Sequence, residues 1–266
     1  MRAFLVFVGC ILTIDSGAPR TGGDDQVIIR KAGTQLMYSA PDSLQSGKVM
    51  SDCAVGMERV EQFFKLQWRG GIQVRLFPDR QSLTAYWRIA WKIPDLQVEC
   101  WQVASGTASM LAILSPRVWK TEACDHDPDD STATQLVIIH ELVHAFHGQY
   151  NPSREFEGMD DVGWFVEGLA TYVSGQLERL HSSAASMAIA EHRDPGELKS
   201  AWSGRYRYGV CGSMVRYIDV EYGREVLKAM LGSVTQEELL EHLGTSEPAF
   251  LSAWKRWVLS GSRNSR

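Results

Sequence analysis

Basic residues are in the minority: 27 Lys and Arg stand against 32 Asp and Glu, leaving a formal charge of −5. Without a basic excess there is no electrostatic footprint for nucleic acid, which excludes polyanions as the main class of partner. Long apolar runs are also missing. After Ile14 no segment approaches the roughly 20 apolar residues that span a bilayer, so no stable membrane insertion is expected from the rest of the chain. Cysteine is sparse at five, and one of these, Cys10, lies in the first apolar stretch. What remains is an ordinary globular balance, 44% hydrophobic and 22% charged over 266 residues, enough for one substantial domain or two small ones.

Met1-Arg2 followed by the apolar run Ala3 to Ile14 and closed by Asp15 has the form of a secretory signal, with cleavage near Ser16-Gly17-Ala18. Residues 1–18 are therefore expected to be removed and the chain secreted or periplasmic. The alternative is a chain anchored to a membrane through this segment. Cleavage leaves Cys53, Cys100, Cys124 and Cys211, with three possible pairings. Cys100 with Cys124 is favoured, because that bridge ties a strand region to the loop leading into the helix described next.

His140-Glu141-Leu142-Val143-His144 places two imidazoles four residues apart, on one face of a helix, where they converge on a single point. Glu141 stands one position along, able to accept a proton from water at an open coordination site. The surroundings give the pattern its weight. From Leu136 to Phe146 every other residue is apolar, so the helix has no wet face, and three ionisable groups buried there need a metal or close partners. A second apolar helix follows, Gly163 to Val173, in which Glu167 is the sole ionisable side chain before Tyr172. A carboxylate in that setting asks for a cation, and the loop between the helices is long enough to fold Glu167 back onto the histidines. His147 shares the face of His140 and His144 but sits a turn further along, which suits a hydrogen-bonding role better than ligation.

The other elements follow from periodicity. Strands are expected at Gln26 to Lys31, Ile72 to Phe77, Val98 to Val103 and Met110 to Leu114, with Gly106 at the turn between the last two. Helices are expected near Ser43 to Leu66, Ser82 to Ala90, Val234 to Leu243 and Glu247 to Leu259. The acidic stretch Cys124 to Asp130 could be a calcium loop, or offer zinc His126. Its spacing is not that of an EF-hand, and Asp130 or Ser131 reads best as the cap of the metal helix.

His140-Glu141-Leu142-Val143-His144, followed after 22 residues by Glu167 within Trp164 to Tyr172, resembles the gluzincin zinc metallopeptidases. That clan includes thermolysin and the aminopeptidase N group, and the likeness is greatest to short peptidase MA-like domains. The resemblance implies an α+β, zincin-like fold: a small mixed-sheet lobe with the active-site helix (26–150), then a mainly helical lobe (151–262), together one catalytic domain over 19–266. It implies one Zn²⁺ per chain on His140, His144 and Glu167, with Glu141 as general base toward a zinc-activated water. Tyr206-Arg207-Tyr208-Gly209 is similar to the family's Tyr-x-x-Gly helix opening, which makes Tyr206 the first choice for steadying the oxyanion and Tyr208 the second. An edge strand near Met110 to Leu114 is expected to pair with a peptide or protein substrate.

The chain departs from related patterns at His147 and Tyr150, where metzincins carry Gly and His, and it lacks a Gly-x-Met-Glu-Asn exopeptidase motif. Endopeptidase activity is therefore expected ahead of aminopeptidase activity. The competing class is a scaffold or pseudoenzyme with a structural zinc, presenting Trp87, Trp91, Trp101 and Trp202 in a groove. Ordinary core aromatics are the plainer account of those tryptophans.

Overall fold

A computed structural model describes residues 26–261, so the expected signal segment lies outside the described residues. The chain is α+β. It opens with β1 (Gln26–Lys31) and β2 (Thr34–Ser39), then α1 (Ser43–Phe64), β3 (Ile72–Phe77), α2 (Arg80–Ala90), β4 (Ala104–Thr107) and β5 (Met110–Leu114). The five strands form one mixed sheet in the order β1-β2-β3-β5-β4, with β2, β3 and β5 parallel and the outer strands β1 and β4 antiparallel to their neighbours.

The alternation within β3 explains its position. Ile72, Val74 and Leu76 face a layer formed by α1 and by the long helix α4 (Ser131–Tyr150), contacting Val49, Cys53, Ile138 and Leu142. On the opposite face Phe77 and Leu114 pack with Leu83 and Trp87 of α2 and with Trp119 of the short helix α3 (Trp119–Glu122). Because α4 is apolar nearly all round, it lies between the sheet and a second, helical core. That core is built from α5 (Gly163–Ser174), α6 (Gln176–Leu180), α7 (Ala184–Ala190), α8 (Arg207–Glu221), α9 (Arg224–Ala229), α10 (Gln236–Leu243) and α11 (Glu247–Gly261). Among the described residues no helix is long and apolar enough to cross a membrane.

Four expectations need correction. Residues 98–103 are not a strand; the pairing begins at Ala104, and Gly106 lies inside β4 rather than at the turn, which falls at Ala108-Ser109. Met110–Leu114 is not an edge strand, because β3 pairs with one side of it and β4 with the other. The edge on that side of the sheet therefore belongs to β4, as the opposite one does to β1, and the small residues Ala104, Ser105 and Gly106 of β4 carry too little apolar signal to mark a strand. β2 went unseen for a different reason. Its residues contact α1 on one face but sit beside a tight Ala32-Gly33 turn that breaks the periodic pattern after only six residues. The helix that carries His140 and His144, which the glycine at 148 leads one to expect to stop there, runs on to Tyr150.

The cysteine expectation is met for one pair. Cys100 and Cys124 are bridged with their Cα atoms 5.3 Å apart, while Cys53 and Cys211 are buried free thiols in separate cores.

Candidate metal centre

Asp130 starts the site. Its side chain accepts hydrogen bonds from the Thr132 and Ala133 backbone N–H groups and so caps α4 ten residues before His140. From that start the helical repeat carries His140 and His144 to the same side, where their rings meet edge to face at 4.8 Å. Glu167 reaches the same point from α5. Gly168 allows this approach: a Cβ there would stand 2.5 Å from the Cys211 carbonyl oxygen, so α5 and α8 touch through bare backbone beside Glu167.

The three inner donor atoms form a small triangle. His140 Nε2 is 3.1 Å from His144 Nε2 and 3.3 Å from Glu167 Oε2, and His144 Nε2 is 3.6 Å from the same oxygen. Donors held by a tetrahedral ion at about 2.0–2.1 Å stand about 3.3 Å apart, so the observed edges bracket that spacing. The donor chemistry agrees. His140 Nδ1 lies 2.8 Å from Gln176 Oε1, an acceptor, so the ring proton sits on Nδ1 and the Nε2 lone pair faces the triangle. Lone pairs of two imidazoles and a carboxylate so placed repel one another unless a positive centre lies between them. The set fits a divalent ion of zinc's preference.

Gln176 reaches His140 through a sharp turn of the chain. Gly175 ends α5 at φ +91°, a left-handed conformation that favours glycine, and redirects the backbone so that the next residue returns toward α4. No sequence pattern marked Gln176; its one signal is its place just after a helix-ending glycine.

Electrostatics divides the two carboxylates. Burial would raise the Glu167 carboxyl, but His144 and His140 outweigh it and hold the group well below the usual carboxylate range. Glu141, without such pairing, is pushed up to about 7 by burial, with His140 opposing the shift and Glu167 reinforcing it. The two acids thus sit in different surroundings, one paired with the histidines and the other dominated by burial.

His147 is fully buried, and its ring lies among Phe156 and Phe165 at centroid distances of 5.0 and 5.7 Å. Neither ring nitrogen makes a hydrogen bond of normal geometry, although the nearby Leu231 backbone favours the charged form slightly. Burial, with His144 adding to it, pushes this imidazole down to about 3, so it is neutral. It does not belong to the donor triangle.

The two tyrosines at the start of α8 are separated by the fold. The Tyr206 hydroxyl donates to Glu191 Oε1 at 2.8 Å and meets the Arg205 guanidinium on an exposed flank. Tyr208 instead turns its ring toward the metal centre, 6.2 Å from the His140 ring, stacked on His181 at 5.2 Å and edge-on to Trp202 at 4.8 Å. Burial raises its hydroxyl above the ordinary tyrosine range, with Glu167 and Glu141 adding to the effect and Arg207 opposing it. The tryptophans also divide. Trp87 is core, stacked on Trp91 at 5.0 Å, whereas Trp101 and Trp202 flank Tyr208. The acidic stretch contributes no ligand: His126 Nε2 pairs with the Trp101 carbonyl at 2.9 Å and its ring packs on Trp119.

No family model and no curated protein matches the chain. Among solved structures, a variant of a two-domain M1 zinc metallopeptidase bound to L-arginine is 13% identical, with a TM-score of 0.48 over 89% of this chain and 52% of its own. An M1 zinc metallopeptidase from Deinococcus radiodurans is 16% identical, with a TM-score of 0.44 over 85% of this chain and 47% of its own. The chain spans about half the length of each.

Proposed function

We propose that this chain is a zinc-dependent peptidase that cuts within peptide chains, holding one zinc ion per chain on His140 Nε2, His144 Nε2 and Glu167 Oε2. The observation that carries the reading is the donor triangle with edges of 3.1, 3.3 and 3.6 Å, beside which Glu141 sits with its carboxyl raised to about 7. A closed structural zinc normally has four protein ligands and no neighbouring base; here three donors converge and the Glu141 carboxyl adjoins them in sequence.

Zinc, when bound in such a site, acidifies water and polarises a carbonyl. The remaining work falls to the protein. Gln176 holds the His140 ring in its ligating tautomer. Glu141 takes the proton of the attacking water and hands it to the leaving amine. The Tyr208 hydroxyl, kept protonated by burial among carboxylates, donates to the oxyanion that develops on the scissile carbonyl; it takes the role first expected of Tyr206. β4 pairs with β5 on one side only, and its other edge supplies backbone groups for an extended substrate. Export belongs to the same reading, since a Cys100–Cys124 bridge persists in an oxidising compartment and the first residues read as a signal.

Zinc content and cleavage of a mixed peptide library test this in three proteins. The parent binds zinc and cleaves. Glu141→Gln keeps the zinc and loses roughly 10²–10⁴-fold in rate, whereas Glu167→Ala loses the zinc. Hydrolysis that survives Glu141→Gln overturns the mechanism, and zinc without cleavage in the parent favours a structural metal.

A further inference from the structure

α8 opens with an arginine whose surroundings the metal centre does not explain. The Arg207 guanidinium carbon stands 4.4 Å from the Trp101 ring centroid, 5.1 Å from Tyr208 and 5.4 Å from Trp202. The guanidinium donates a hydrogen bond to the Gly204 carbonyl at 3.3 Å. Among the described residues no Asp or Glu stands within 4 Å of it. Neighbouring arginines differ: Arg205 pairs with Glu191 at 2.7 Å, and Arg224 with Asp219 at 2.5 Å. Aromatic rings cover the flat faces of a guanidinium while leaving N–H groups at its edge, the geometry that receives a carboxylate with two parallel hydrogen bonds. The first turn of α8 adds to the positive potential, having neither an acidic residue nor a side-chain cap.

The cluster is continuous with the metal centre. Tyr208 contacts both Arg207 and His140, which puts the guanidinium within about 11 Å of the His140 ring. Extended chain advances about 3.4 Å per residue, so a group bound there belongs to a residue within about three of the bond being cut. Trp101, the outer wall, is fastened by the adjoining Cys100–Cys124 bridge and by the contact of its carbonyl with His126.

We propose that Arg207, framed by Trp101, Trp202 and Tyr208, binds a carboxylate of the substrate peptide and makes this a peptidase selective for acidic or carboxyl-terminal segments. The proposal rests on the peptidase reading above. The carboxylate has two sources, an Asp or Glu side chain or the end of the chain, and two peptide pairs separate them: Glu against Gln in amidated peptides, and free acid against amide in peptides without acidic residues.

The test measures kcat/KM for both pairs in the parent, Arg207→Gln and Arg207→Lys. In the parent at least one pair favours the carboxylate by about tenfold or more, and the pair that does so names the source. Arg207→Gln brings that ratio close to one, and Arg207→Lys restores part of it. The same pairs are titrated against zinc-loaded Glu141→Gln, with and without Arg207→Gln, following tryptophan fluorescence. That arm reads binding alone, so it decides the proposal even if no peptide is hydrolysed. Equal affinity for both members of both pairs, or a preference that survives Arg207→Gln, overturns it.

Discussion

Gly106 of β4 lies directly against the backbone of Glu141: a Cβ at position 106 would stand 2.3 Å from the Glu141 carbonyl oxygen and 3.1 Å from its Cα. Edge strand and metal helix are thereby held at a separation only glycine permits, and the proposed base and the proposed substrate-pairing strand share one rigid contact. Gly106→Ala forces the two apart. The expected result is a loss of about 1–3 kcal/mol in stability, as for overpacking elsewhere, together with a fall in kcat larger than that in Gly47→Ala, which meets open space. Urea unfolding and kinetics of both variants check this, and a Gly106→Ala protein as stable and active as the parent contradicts it.

The tyrosines give a paired prediction. Tyr208 faces His140 while Tyr206 is engaged with Glu191. Removing an oxyanion donor costs on the order of 10²-fold or more, so Tyr208→Phe is expected to lower kcat by about that factor and Tyr206→Phe by less than about threefold. Steady-state kinetics decide, and the opposite ranking returns the role to Tyr206.

His147 has a buried, neutral ring with no well-formed hydrogen bond, set among phenylalanines. Replacing such a group by an apolar one of similar size is close to neutral for stability. His147→Leu is expected to bind zinc at the parent's stoichiometry and to melt within a few degrees of it. Loss of zinc in this variant, measured by elemental analysis, makes His147 a ligand after all.

The Cys100–Cys124 bridge closes a loop across 24 residues. A cross-link of that span contributes about 3 kcal/mol in the chain-entropy description. Substituting both cysteines by serine is expected to lower the melting temperature by roughly 5–10 °C while leaving the zinc stoichiometry intact, since neither cysteine belongs to the donor triangle. Calorimetry with metal analysis checks both halves.

Much of the site is local in sequence. A four-residue spacing on a helix fixes the mutual orientation of His140 and His144, because helical geometry depends on hydrogen bonds between near neighbours; the strands at 26–31 and 72–77 were legible because a two-residue alternation is written in the side chains themselves, and 110–114 as a short unbroken apolar run. The apolar setting of Glu167 announced a buried carboxylate, and burial demands a partner wherever it occurs. Tertiary structure decided what depends on through-space approach. Whether Tyr206 or Tyr208 meets His140 turns on how α8 is rotated against α5, a matter of packing that two tyrosines two residues apart cannot reveal. β4 became the edge strand because small residues let it lie against α4, and smallness is a weak signal until the neighbour is known. Gln176 gained its place from a left-handed turn, and Arg207 from Trp101, a ring brought from a distant segment to join the nearby Trp202 and Tyr208, an approach that exists only once the chain has folded.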